Sequence, residues 1–128
     1  MTVLYLDDDP DDLKILQEVL QEIDPSINCL VATTDQQAYM TLQAQSSPPD
    51  HIFLDLHLPS MNGIGILKEL KSNGRYRHIP VVMLSNLSSP YVIEKCRELG
   101  ADFHKKPSTY AEWKDILSSI LASRSSNG

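Results

Sequence analysis

Cysteine is scarce. Cys29 and Cys96 are the only two in 128 residues, and two thiols alone make neither a disulfide framework nor a metal site. Both lie in segments that read as a strand and a helix, which fits reduced, buried thiols in a reducing cytosol. No stretch approaches the ~18 apolar residues of a membrane helix, and the opening Met-Thr-Val-Leu-Tyr-Leu turns acidic too soon for a signal peptide. Nor is there a run of Lys or Arg to grip a phosphate backbone. With a net charge of -6, direct nucleic-acid binding is disfavoured. Low-complexity segments and internal linkers are absent too. The expectation is a cytoplasmic domain spanning residues 1–122, with a polar tail at 123–128 that frays.

What is present is an alternation. Short apolar runs at Val3–Leu6, Cys29–Ala32, Ile52–Leu54 and Val81–Leu84, with a weaker one near Phe103, do not alternate in polarity. Such runs are expected of strands covered on both faces. Amphipathic stretches separate them. Leu13, Leu16, Leu20 and Ile23 form one stripe, widened by Ile15 and Val19. Ala38, Tyr39 and Leu42 mark a weaker second helix. Ile66, Leu67 and Leu70 mark a third, which stops at Asn73-Gly74. Ser88-Ser89-Pro90 opens a fourth, striped by Val92, Cys96 and Leu99 and closed by Gly100. Trp113 lies at helical spacing from Leu117 and Ile120 in the fifth and reads as core. Strand–helix repeats of this kind predict an α/β fold, a doubly wound five-stranded parallel sheet flanked by five helices.

In such sheets ligands sit at the carboxyl ends of the strands. The residues found there form a coherent set. Asp7, Asp8 and Asp9 follow the first run, Asp55 ends the third, Ser85 and Asn86 follow the fourth, and Lys105, Lys106 and Pro107 follow the fifth. Part of the Asp7–Asp9 run is accounted for by helix capping, since Pro10 to Asp12 look like a helix start. Capping does not account for Asp55 and a lysine arriving at the same edge. Clustered carboxylates repel and call for a proton or a cation. Oxygen ligands that leave room for water suit Mg²⁺. A carboxylate so poised can act as a nucleophile that forms an acyl phosphate. The transferring oxygens then need metal, ammonium and hydrogen-bond donors, and Lys106 and Ser85 supply the last two. His51, His78 and His104 show no metal-ligand spacing and read as surface or packing residues. The basic cluster Lys71, Arg75, Arg77 and His78 reads as a solvated loop before the fourth strand.

The stretches Leu4-Tyr5-Leu6-Asp7-Asp8-Asp9-Pro10, Phe53-Leu54-Asp55 through Pro59 to Gly63, Pro80 to Asn86, and Gly100 to Pro107 resemble the receiver domain of two-component response regulators. The likeness covers nearly the whole chain, and the order and spacing of the fragments are together highly specific. It implies the flavodoxin-like strand order 2-1-3-4-5. It implies Asp55 as phosphoacceptor, and Asp7, Asp8, Asp55 and the backbone carbonyl of His57 as the Mg²⁺ shell, with Asp8 a direct ligand and Asp7 acting partly through water. Ser85 takes the place of the switch hydroxyl. Lys106, which directly precedes Pro107, takes that of the lysine, with Pro107 expected in cis. Phe103 occupies the aromatic switch position without a hydroxyl. Asn86 is bulky where a small residue is common. His57 reads first as a solvent-facing loop histidine that uses only its carbonyl; against that, substitutions at His57 or Asn86 are expected to change dephosphorylation more than phosphorylation.

The resemblance implies a sensor histidine kinase or histidine phosphotransfer protein as phosphodonor. It places kinase docking mainly on the first helix, around Ile15 or Val19, and output mainly on the fourth helix, strand five and the fifth helix, around Ile93. After the last helix only a few polar residues remain. The readout is therefore expected from a downstream protein target, with a phosphorylation-dependent homodimer left open. Rival readings are weaker. An aspartyl-phosphate hydrolase of the haloacid-dehalogenase type wants aspartate where His57 stands. A flavodoxin-like cofactor binder wants Ser, Thr and Gly where Asp-Asp-Asp-Pro stands. A pseudo-receiver that signals by binding alone has no need of the complete residue set.

Overall fold

A parallel strand can bury both of its faces only if helices cover the sheet on two sides, and the chain is patterned to do this. The computed structural model describes residues 1–55, 63–86 and 89–126. Five strands and five helices alternate: β1 (Thr2–Leu6), α1 (Pro10–Ile23), β2 (Asn28–Ala32), α2 (Asp35–Ala44), β3 (His51–Asp55), α3 (Gly63–Ser72), β4 (Val81–Ser85), α4 (Pro90–Glu98), β5 (Asp102–Lys105) and α5 (Tyr110–Ser126). The strands form one sheet in the order β2-β1-β3-β4-β5, every pair parallel. The doubly wound expectation holds.

Successive strand residues point to opposite faces, and the core divides accordingly. Val3, Tyr5, Phe53, Val82 and Leu84 face α1 and α5, where they pack on Leu16, Leu20, Trp113 and Leu117. Leu4, Leu6, Ile52, Leu54 and Met83 face the other way, onto Ala38, Leu42, Ile66, Leu67 and Cys96. Trp113 is buried, with its ring set edge-on to Tyr5 at 6.4 Å. Val19, expected as an exposed contact, is fully buried, because α1 packs against both the sheet and α5 and so needs a broader apolar stripe. Ile15 and Ile93 are half-buried, and the large exposed residue on α4 is Tyr91.

Local chemistry sets the helix ends. Asp9 caps α1 by accepting from the Asp11 amide, and Pro10 follows at the first turn, where a missing N–H costs nothing. Ser89 caps α4 the same way, through the Val92 amide. Gly100 leaves α4 at φ +89°, a left-handed conformation that a side chain disfavours. Lys71 lies within α3, not in the following loop, and its ammonium donates to the Ile79 carbonyl at 3.2 Å. His51 is a packing residue, buried with its ring stacked near Phe53.

Candidate functional site

The topology decides which strand ends meet. β1 lies between β2 and β3, so the winding reverses beside it and opens a crevice at its carboxyl end. Asp7 and Asp8 leave β1 on one side of that crevice, and Asp55 ends β3 on the other. Carboxylate oxygens of Asp7, Asp8 and Asp55 lie within 4.8 Å of one another. Ser85, buried at the end of β4, completes the edge toward β5. Its carbonyl accepts from the Lys106 amide at 3.1 Å, which fixes the start of the loop after β5.

The acidic run divides by role. Asp9 is the helix cap. Asp8 is exposed, while Asp7 is fully buried. Burying a carboxylate is costly unless its oxygens are satisfied, and those of Asp7 are. One oxygen accepts from the Asp9 amide at 3.0 Å. The other accepts from the Tyr5 hydroxyl at 2.5 Å and pairs with the Lys106 ammonium at 2.8 Å.

Lys106 is the centre of the cluster. Its ammonium lies 2.8 Å from Asp7, 2.8 Å from Asp12 and 3.5 Å from Asp55, with the lysine side chain 8% exposed. Burial pulls its pKa down, but hydrogen bonds to Asp12 and Asp7 and the charges of Asp7 and Asp55 outweigh it, and the net shift is upward. Asp12 is also raised: burial pushes it up, with Asp7 and Asp9 adding, against the downward pull of Lys106. The two directions are compatible. Where several carboxylates share one ammonium, the ammonium gains from all of them and each carboxylate gains only a share. Tyr5 is raised well above the phenol range, by burial first and then by Asp7, so it stays a donor.

Of the residues expected at this edge, Asp7, Asp8, Asp55, Ser85 and Lys106 are brought together. Lys105 is exposed in β5, so Lys106 is the lysine of the cleft. His57 and Pro59 lie outside the described residues. Asn86 is exposed and lines a cleft of about 510 Å³ with Lys106, Pro107 and Glu112. No cis peptide occurs among the described residues, so the Lys106–Pro107 bond is trans, contrary to expectation; trans is the intrinsically favoured form by about 0.5–1 kcal/mol. Tyr5 and Asp12 were not foreseen. Tyr5 stands two residues before Asp7, a spacing that aims both side chains the same way from a strand, and that spacing was the available signal.

Oxygen-only donors converging on a partly open edge fit a hard divalent cation. Asp8 and Asp55 would hold it directly. Asp7 already spends three of its roughly four lone-pair positions on Tyr5, Asp9 and Lys106, which suits contact through water.

The sequence and the fold both have counterparts among known proteins. The family profile described as the response regulator receiver domain matches residues 3–118. The sensory/regulatory protein RpfC of Xanthomonas campestris pv. campestris is 32% identical over 127 residues, covering 96% of this chain but 17% of RpfC, so the chain spans about a sixth of that relative. The crystal structure of the phosphorylated cyanobacterial phytochrome response regulator RcpA superposes with a TM-score of 0.88 at 26% identity, covering 99% of this chain and 95% of RcpA. The Mn²⁺-bound response regulator Rcp1 superposes with a TM-score of 0.81 at 26% identity, covering 93% of this chain and 90% of Rcp1.

Proposed function

The chain belongs to the response regulator receiver domain family, and from that premise we propose that it accepts a phosphoryl group on Asp55 from a phosphohistidine. The donor is a sensor histidine kinase or a histidine phosphotransfer protein. A carboxylate oxygen of Asp55 attacks phosphorus, an O–P bond forms as the P–N bond breaks, and the imidazole nitrogen leaves with the electron pair. The observation that carries this reading is Lys106, a buried ammonium 3.5 Å from Asp55 and anchored on Asp7. It stands where phosphoryl oxygens on Asp55 need neutralising. The Ser85 hydroxyl serves as a donor to one of those oxygens.

Mg²⁺ held by Asp8 and Asp55, by Asp7 through water and by the His57 carbonyl would neutralise phosphoryl charge in the same cleft. A phosphorylated relative and a Mn²⁺-bound relative of this fold support the two halves of the proposal. Free thiols at Cys29 and Cys96 suit a cytoplasmic setting. The receiver's own chemistry is its phosphorylation and dephosphorylation, and the signal passes on by contact with a downstream protein or by relay.

The test is incubation with a small-molecule phosphodonor and Mg²⁺, followed by intact-mass measurement. One phosphoryl adduct is expected, lost on chelation and in Asp55→Asn. An unmodified chain, or steady hydrolysis of many phosphate esters, contradicts the reading.

A further inference from the structure

Asp12 occupies the third position of α1, counting Pro10 as the first. An acidic residue there ordinarily turns back to the amide of the capping residue. Here the Asp9 amide is already held by Asp7 at 3.0 Å, and the Asp12 carboxylate reaches Lys106 instead, at 2.8 Å. A lysine has three N–H donors. Lys106 spends two of them at charge-assisted distance on Asp7 and Asp12, and stands farther from Asp55, at 3.5 Å.

We propose that Asp12 is a positioning residue that holds Lys106 back from Asp55 in the resting chain and yields it when the phosphoryl group arrives. The proposal rests on Asp55 being the phosphoacceptor. Of the two short contacts, Asp7 is the fixed one, with no side-chain exposure and bonds to Tyr5 and the Asp9 amide. Asp12 is the replaceable one. Its side chain is 20% exposed at the rim, so water can take over its oxygens when Lys106 leaves, at little cost. Phosphoryl transfer therefore exchanges the Asp12 contact for a phosphoryl oxygen. Asp12 stabilises the unphosphorylated receiver and slows its phosphorylation.

The experiment compares initial phosphorylation rates of the full chain with phosphoramidate at saturating Mg²⁺, by intact mass. Asp12→Asn should react about two- to five-fold faster, the kinetic equivalent of a part-exposed ion pair. Asp12→Glu, which keeps the charge within reach, should stay near the wild-type rate. Asp11→Asn removes the same charge from an exposed position in the same helical turn and should change nothing. Before phosphorylation, the ¹⁵N resonance of the Lys106 ammonium should move in Asp12→Asn and not in Asp11→Asn. An unchanged or slower Asp12→Asn, equal acceleration by Asp11→Asn, or an unmoved ammonium resonance overturns the proposal. A wild-type chain that takes no phosphoryl group overturns the receiver reading and this proposal together. An adduct that forms at equal rates in wild type and Asp12→Asn overturns this proposal alone.

Discussion

Helix α1 is tied to a lysine near each end, and the two ties differ in everything but length. Near its start, Asp12 pairs with Lys106 at 2.8 Å; near its end, Glu22 pairs with Lys114 of α5 at 2.7 Å. Lys106 is 8% exposed and shares three carboxylates, whereas Lys114 and Glu22 are 46% and 47% exposed. Distance alone would rank the pairs as equals. Desolvation and crowding separate them: the first pair draws on a buried ammonium that three carboxylates share, and the second competes with water on both sides. An ion pair at the cleft is therefore part of a site, while the pair at the far end fastens two helices and is dispensable.

Lys106→Met should break the comparison hardest. It leaves Asp7 buried without its cation and should cost about 3 kcal/mol of stability in chelator, with Mg²⁺ restoring part of the loss. Urea unfolding with and without Mg²⁺ checks both statements. Because the Lys106 pKa is raised, the wild-type contribution is complete below the ordinary lysine pKa and disappears only as pH rises through the higher folded value.

Tyr5→Phe is the next step down. It removes one donor from a buried carboxylate without opening a cavity, and about 2 kcal/mol should be lost, again read by urea midpoint. Phosphorylation should persist, since Lys106 still anchors Asp7.

At the exposed end the effects are small. Lys114→Met should leave the urea midpoint within error of wild type, and a large drop would erase the distinction between the two ends. Glu22→Gln should show its effect only through pH. Hydrogen bonds from Lys114 and then Tyr110 hold the Glu22 carboxyl below the ordinary glutamate value. Its contribution is therefore present above that ordinary value and lost as pH falls through the depressed one. Wild-type and Glu22→Gln melting curves should converge on acidification, and curves that diverge would give the shift the wrong sign.

The same contrast explains what was legible from the residues alone. Strands announce themselves as unbroken apolar runs, and the chemistry at their ends follows once the sheet is parallel, so Asp7, Asp8, Asp55, Ser85 and Lys106 could be gathered on one edge before any geometry was known. Tyr5 was hidden because a hydroxyl inside an apolar run reads as core, which its ring indeed is. Asp12 was hidden because an acidic residue in a first helical turn has a sufficient local explanation in the helix dipole; its reach to Lys106, 94 residues away, depends on tertiary packing. Val19 misled for a related reason, since a helix flanked by both sheet and helix buries more of its circumference than one stripe predicts. The trans bond before Pro107 is a matter of loop conformation, on which residue order is silent.

The most direct measurement of the central claim locates the phosphate. The chain is phosphorylated in Mg²⁺ and reduced with borohydride, which converts an aspartyl phosphate to homoserine, and the modified position is read by peptide sequencing. Homoserine at position 55 is the predicted result. Modification at Asp7, Asp8 or Asp12, or an adduct resistant to reduction, would contradict the account.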